Sequence, residues 1–157
     1  MSQTNFVINL DFAVPTDRLF AAIAGADGPL AWWTVTCEVN EAIGGQSRFD
    51  FPGNGFFNVM KNLKREPSRL LEWECVAQHH HERTGFNDLQ DWVGTHIRFE
   101  ITDAGNGHSH RHFTHTGLIQ LECVDICTSG WAFFLNESLR GYLEQGKGQP
   151  WREQVAA

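Results

Sequence analysis

A chain of 157 residues that is 41% hydrophobic, with no composition shift and no Pro/Ser-rich linker, suits one domain spanning 1–157. Its net charge of −7, spread along the chain without a basic stripe, argues against a phosphate backbone as the partner, so no nucleic-acid role is expected. No apolar run approaches the ~20 residues that span a bilayer, and Met1–Asn5 lacks the basic-then-apolar pattern of a secretion signal, so the expectation is a cytoplasmic protein with no membrane span.

In chain order, Phe6, Ile8, Leu10 and Phe12 alternate with Val7, Asn9 and Asp11, which predicts a half-buried opening strand. Pro15 with Thr16-Asp17 starts a short helix through Ile23 that stops at Gly25, and Asp27 to Trp32 reads as a second helical turn. Val35, Cys37 and Val39 alternate with polar neighbours, and Gly44-Gly45 turns the chain into Arg48–Phe51, a hairpin. Past the Pro52–Gly55 turn come strands over Phe56–Lys64 and Arg69–Ala77, the second with Leu71, Trp73 and Cys75 on one side. A polar insert, Gln78–Asp91, precedes a strand from Val93 to Ile101, a turn at Asp103–Gly107 and a last strand from His110 to Leu118. Val124, Cys127, Trp131, Phe134, Leu135, Leu139, Tyr142 and Leu143 then recur near the helical period, opposite Asp125, Asn136, Glu137, Arg140 and Glu144. Gly146, Gly148 and Pro150 end this helix, which at about 20 residues is roughly 30 Å long.

One strand, two short helices, six strands and a long helix make an α+β arrangement, an antiparallel sheet whose apolar face is covered by one helix. Large rings concentrate on the inward positions: Phe49, Phe51, Trp73, Phe99, Phe113 and Trp131. Rings at strand spacing more often fill a core than line a pocket, and the pattern alone favours a filled core.

Handles for chemistry are few. Four cysteines fall within predicted core elements, Cys37 and Cys75 on strands and Cys123 and Cys127 near or on the helix, where reduced buried thiols are expected. Consecutive His79, His80 and His81 point to alternate sides of an extended chain and cannot easily share an ion, so a solvated loop is expected. His108, His110 and His112 share one strand face, opposite Phe113, and suit only adventitious metal. Cys123 and Cys127 could meet on one helical face but lack a second Cys/His pair at finger spacing. No metal and no cofactor is expected. Nucleophile elbow, phosphate loop, dinucleotide fingerprint and paired-histidine zinc motif are all missing. His115, two positions after Phe113, is the one titratable residue of the inward set, able to serve as acid, base or ligand anchor; the residue pattern favours a histidine satisfied within the protein. Glu72, Glu74, Arg98 and Glu100 fall on the outer faces as cross-strand charge pairs.

The element order, together with Trp32-Trp33, Gly44-Gly45 before Phe49, Leu71-Glu72-Trp73, Trp92-Val93-Gly94-Thr95 with Arg98-Phe99, the run Phe113–Leu118, and Gly130-Trp131 with Ser138-Leu139, resembles the SRPBCC or START-like superfamily. Within it the chain is similar to the branch related to the activator of the heat-shock-protein-90 ATPase, from about Phe6 to Gly148. The resemblance implies a helix-grip fold, a curved antiparallel sheet wrapped around a long C-terminal helix with a deep apolar cavity, and it shifts the weight from filled core toward pocket. Members of the superfamily include lipid carriers, hormone receptors, cyclases and co-chaperone domains, so the fold assigns no chemistry. The first expectation is non-enzymatic binding of a small apolar or amphipathic molecule, walled by Trp33, Phe49, Phe51, Trp73, Phe99, Phe113, Trp131 and Leu135 with His115 as polar anchor. The second is a chaperone-linked interaction module. A cyclase-like or hydrolase-like enzyme using His115 comes third, and the insert 78–91 is a candidate lid or mouth loop.

Overall fold

The computed structural model describes residues 5–153. Residues 1–4, read above for targeting, and the far C-terminal end of the domain lie outside the described residues. The strands are β1 (Phe6–Phe12), β2 (Thr36–Glu38), β3 (Gln46–Phe51), β4 (Phe56–Glu66), β5 (Leu70–His79), β6 (His96–Gly105) and β7 (His108–His115). They form one antiparallel sheet in the order β1-β7-β6-β5-β4-β3-β2, and the helices α1 (Thr16–Ala24) and α2 (Gly28–Trp32) connect its two edge strands. The C-terminal helix runs as α3 (Val124–Ala132), a π-helical segment (Phe133–Ser138) and α4 (Leu139–Gln145), ending at Gly146 in the left-handed conformation that favours glycine. This is the expected α+β helix-grip architecture. Among the described residues no helix is long and apolar enough to cross a membrane.

Register puts the expected residues inward. Ile8 pairs with Phe113 and Phe113 with Phe99, while Leu71 pairs with Phe99, so one face of the sheet centre is a band of buried rings and branched chains. On the outer face Arg98 meets Glu72 at 2.7 Å and Glu100 at 3.5 Å, the charge pairing that strand alternation predicts.

Strand ends depart from the sequence reading. β6 begins at His96 rather than Val93, because Gly94 takes a φ of 90° and the Trp92–Thr95 turn leaves Val93 exposed. β7 stops at His115, since the chain turns at Gly117 (φ 77°) into a short 3₁₀ helix, Leu118–Gln120. β5 continues to His79, into the segment read as an insert.

The π-helical segment has an identifiable cause. Cys127, Trp131, Leu135, Leu139 and Leu143 are all buried and follow one another at four-residue steps. On an ordinary α-helix four residues turn about 400°, so such a stripe drifts about 40° per step and would leave the sheet within a few turns. A wider π turn in the middle brings it back into phase. The Leu139 N–H reaches Phe134 O and passes over Leu135 O. Arg111, wholly buried on β7, takes up that carbonyl at 2.6 Å and donates to Asn136 Oδ1 at 2.8 Å. Asn136, expected on the polar face, is therefore turned toward the sheet.

Beyond Gly148, where the sequence reading ended the core, the chain still packs. Ser138 Oγ donates to Trp32 O (2.7 Å) and accepts from Gln149 N (2.7 Å), and Trp151 exchanges backbone bonds with Trp33 and Val35 while its indole donates to Pro52 O.

Candidate functional site

The sheet centre is filled, and the space lies at one end of it. A cavity of about 530 Å³ opens between the start of the C-terminal helix, the β3–β4 turn and the segment after β5. Its depth is indole. Trp33 and Trp131 stack at 5.2 Å, and Trp131 stacks on Trp92 at 5.7 Å. Phe51 and Phe56 form one wall edge-to-face at 5.4 Å, with Trp151 and Phe134 each 6.2 Å from Phe51. The helix contributes Ile126, Cys127, Gly130 and Phe133; Asn54, His81, Arg83 and Thr84 bring polar groups to the lining. A Cβ built on Gly130 meets nothing within 4 Å, so the glycine leaves real room beside the helix.

Of the expected wall, Trp33, Phe51 and Trp131 border this cavity. Phe49, Trp73, Phe99, Phe113 and Leu135 do not; they are buried core under the middle of the sheet. His115 lies behind Trp131, outside the lining of this cavity. It is wholly buried, its Nδ1 accepts from the Trp131 indole (3.1 Å) and its Nε2 faces Thr95 Oγ1 (2.9 Å), which itself donates to Trp92 O. That chain of bonds fixes the Nε2–H tautomer and leaves no ring nitrogen for a ligand or a proton transfer. Burial pushes its pKa down to about 3, so the imidazole is neutral.

Strand and helix spacing cannot reveal the wall residues at the first position of β4, in the turn before β6 and in the tail: Phe56, Trp92 and Trp151. The insert 78–91 is anchored rather than hanging free. Glu122 accepts from the backbone of Asn87 (2.8 Å) and Asp88 (3.1 Å), and His80 N donates to Leu89 O (2.7 Å). Its 3₁₀ turn, Glu82–Thr84, forms part of the cavity wall.

The expected solvated histidine loop is also corrected at one position. His80 is buried against Phe56 and Phe86, and its Nε2 lies 2.8 Å from Asp91 Oδ1, both side chains about 5% exposed. Burial works against charge on His80, but the Asp91 bond and the neighbouring Cys123 thiol outweigh it and raise the pKa to about 9. The Cys123 thiol is drawn down to about 6, chiefly by Cys127, with His80 and Trp92 assisting and burial opposing; Cys127 is correspondingly pushed up. All four cysteines are free thiols.

The model of the family described as Activator of Hsp90 ATPase homolog 1-like protein matches residues 13–144. The fold is similar to that of an Aha1 dimer from Colwellia psychrerythraea, at 25% identity over 92% of this chain and 98% of that one with a TM-score of 0.75. It is similar in fold to a Mesorhizobium loti protein (19% identity, 90% and 97% covered, TM-score 0.72) and to an HSP90 activator from Plasmodium falciparum (16% identity, 90% and 96% covered, TM-score 0.62). No curated protein matches the chain.

Proposed function

The chain belongs to the Activator of Hsp90 ATPase homolog 1-like family, and from that premise we propose that it binds a small, largely apolar molecule in the cavity beside its C-terminal helix. The observation that carries this reading is the cavity itself: about 530 Å³, within the range of small-molecule sites, walled by rings and provided with only a few polar groups. The apolar body of the ligand lies between the Trp33–Trp131 stack and the Phe51–Phe56 wall. A hydroxyl or carboxylate end sits beside Asn54, His81 and Arg83. We place this activity in the cytoplasm, where reduced cysteines persist.

Native mass spectrometry of gently purified protein, followed by calorimetric titration with a medium-chain fatty acid, tests the reading. Wild type should bind one molecule per chain, and Gly130→Leu, which places a side chain in the open space, should weaken binding at least tenfold without lowering Tm. Equal affinity in the two proteins, or no binding by either, overturns it.

Family membership supports a second reading, an interaction with a chaperone ATPase of the heat-shock-protein-90 type. The two readings separate cleanly. Chaperone association carried by the outer surface should survive Gly130→Leu unchanged in a pull-down, whereas association that needs a loaded cavity should be lost with the ligand.

A further inference from the structure

Ligating atoms of His80, Cys123 and Cys127 lie within 4.8 Å of one another in a buried corner of the cavity, and we propose that this corner is a zinc site with two thiolate ligands and one imidazole. The donor set is the nitrogen and sulfur combination that zinc favours, and two thiolates neutralise its charge in a place with little water. Zn–S and Zn–N bonds of about 2.3 and 2.0 Å put tetrahedral ligands about 3.5–3.8 Å apart, so side-chain rotations of under about 1 Å close the cluster.

The surroundings fit the ion. Asp91 holds His80 through Nε2, the carboxylate–histidine arrangement that orients a zinc ligand and leaves Nδ1 for the metal. Asp91 Oδ2 is buried with no hydrogen-bond partner among the described residues, an orphaned acceptor that a nearby cation would stabilise. The Trp92 indole N–H, within reach of both thiols, is likewise without a well-formed partner. Cys123 immediately precedes α3, and the Cys127 N–H to Cys123 O bond (2.8 Å) sets the two sulfurs one turn apart. His80 and Cys127 also border the cavity, so a fourth coordination position opens onto it, for water or for a donor atom of whatever the cavity holds. Spacing rules miss such a site because its ligands come from the chain just after β5 and from the start of α3, with no paired motif in either.

Untagged protein, stripped with chelator and kept reduced, is titrated with cobalt(II) and then zinc(II). The site predicts one cobalt per chain with an intense sulfur-to-cobalt charge-transfer band, displaced by zinc, lost in Cys123→Ser/Cys127→Ser, and about 10–100-fold weaker in Asp91→Asn. In the wild type, without any substitution, zinc should slow alkylation of Cys123 and Cys127 at least tenfold and leave Cys37 unaffected. Cobalt bound without the charge-transfer band, which is what the outer histidines His108, His110 and His112 would produce, overturns the proposal. So does alkylation of Cys123 and Cys127 that zinc does not slow.

Discussion

At the scale of single residues, two wholly buried polar side chains that bond to the C-terminal helix, His115 and Arg111, both hold structure. His115 accepts from Trp131 and donates to Thr95 as a neutral ring, so its protonation requires breaking the pair or unfolding the chain. With a folded pKa near 3 against an ordinary value of about 6.5, the proton binds the unfolded chain in preference. Its contribution is therefore complete above about pH 6.5 and falls as pH drops toward 3, at up to about 1.4 kcal/mol per pH unit. Urea unfolding at pH 7, 6 and 5 should show that slope, and His115→Gln should reduce it by one proton's worth; an unchanged slope would assign the acid sensitivity elsewhere. Arg111 is buried with no carboxylate beside it among the described residues, and burial alone pulls its guanidinium pKa down. Arg111→Ala should cost about 2–4 kcal/mol, since it leaves a void and two unpaired acceptors, Leu135 O and Asn136 Oδ1. Arg111→Met should cost less, because it keeps volume and removes a buried charge. The sequence reading takes His115 as the one titratable residue of the inward set and passes over Arg111, although alternation puts it on the same face as Phe113 and His115; the carbonyl it grips there no periodicity reveals.

At the scale of elements, the C-terminal helix was plain from its apolar recurrence, and so were the seven strands, because a sheet with one buried face must alternate. The π-helical segment was not, since a stripe at mixed three- and four-residue spacing suits an α-helix equally well. Only the burial of Cys127, Trp131, Leu135, Leu139 and Leu143 in the folded chain shows that the stripe keeps to four-residue steps. Gly130 sits inside this helix at ordinary helical backbone angles, with open space where a Cβ would lie. Gly130→Ala should therefore stabilise the protein by about 0.5–1 kcal/mol, seen as a higher Tm, because alanine loses less conformational freedom on helix formation. A fall in Tm would show that the space beside Gly130 is occupied in solution.

For the whole molecule, the helix and the tail play separable parts. Removing residues from Gly130 onward exposes Trp131, Leu135, Leu139 and Leu143 together with the sheet beneath them, and at about 1.5–3 kcal/mol for each large side chain the remainder should not unfold cooperatively. Ending the chain after Gly148 should instead leave a cooperative transition, lowered by about 1–3 kcal/mol, and weaken cavity ligands because Trp151 is lost from the wall. Denaturant curves of both truncations decide this. The same division explains what the sequence made legible of the site. Alternation reports which face of a strand is inward but not which end of the sheet is full, so Phe49, Trp73, Phe99 and Phe113 were indistinguishable from Phe51, although only Phe51 borders the cavity.

Three of the indoles that line this cavity, Trp33, Trp131 and Trp92, continue through the buried Trp32 and Trp73 into one optical array. Trp73 lies 6.1 Å from Trp33, Trp32 5.8 Å from Trp33, Trp33 5.2 Å from Trp131, and Trp131 5.7 Å from Trp92, the Trp33–Trp131 planes inclined by 29° and the other pairs closer to parallel. Chromophores held at such separations do not absorb independently. Their transitions mix, and excitation is shared along the row from the filled core to the cavity. The folded protein should therefore show an exciton couplet in its near-ultraviolet circular dichroism that vanishes on unfolding, collapses in Trp33→Phe, the member common to three of the pairs, and changes amplitude whenever a guest rotates Trp131.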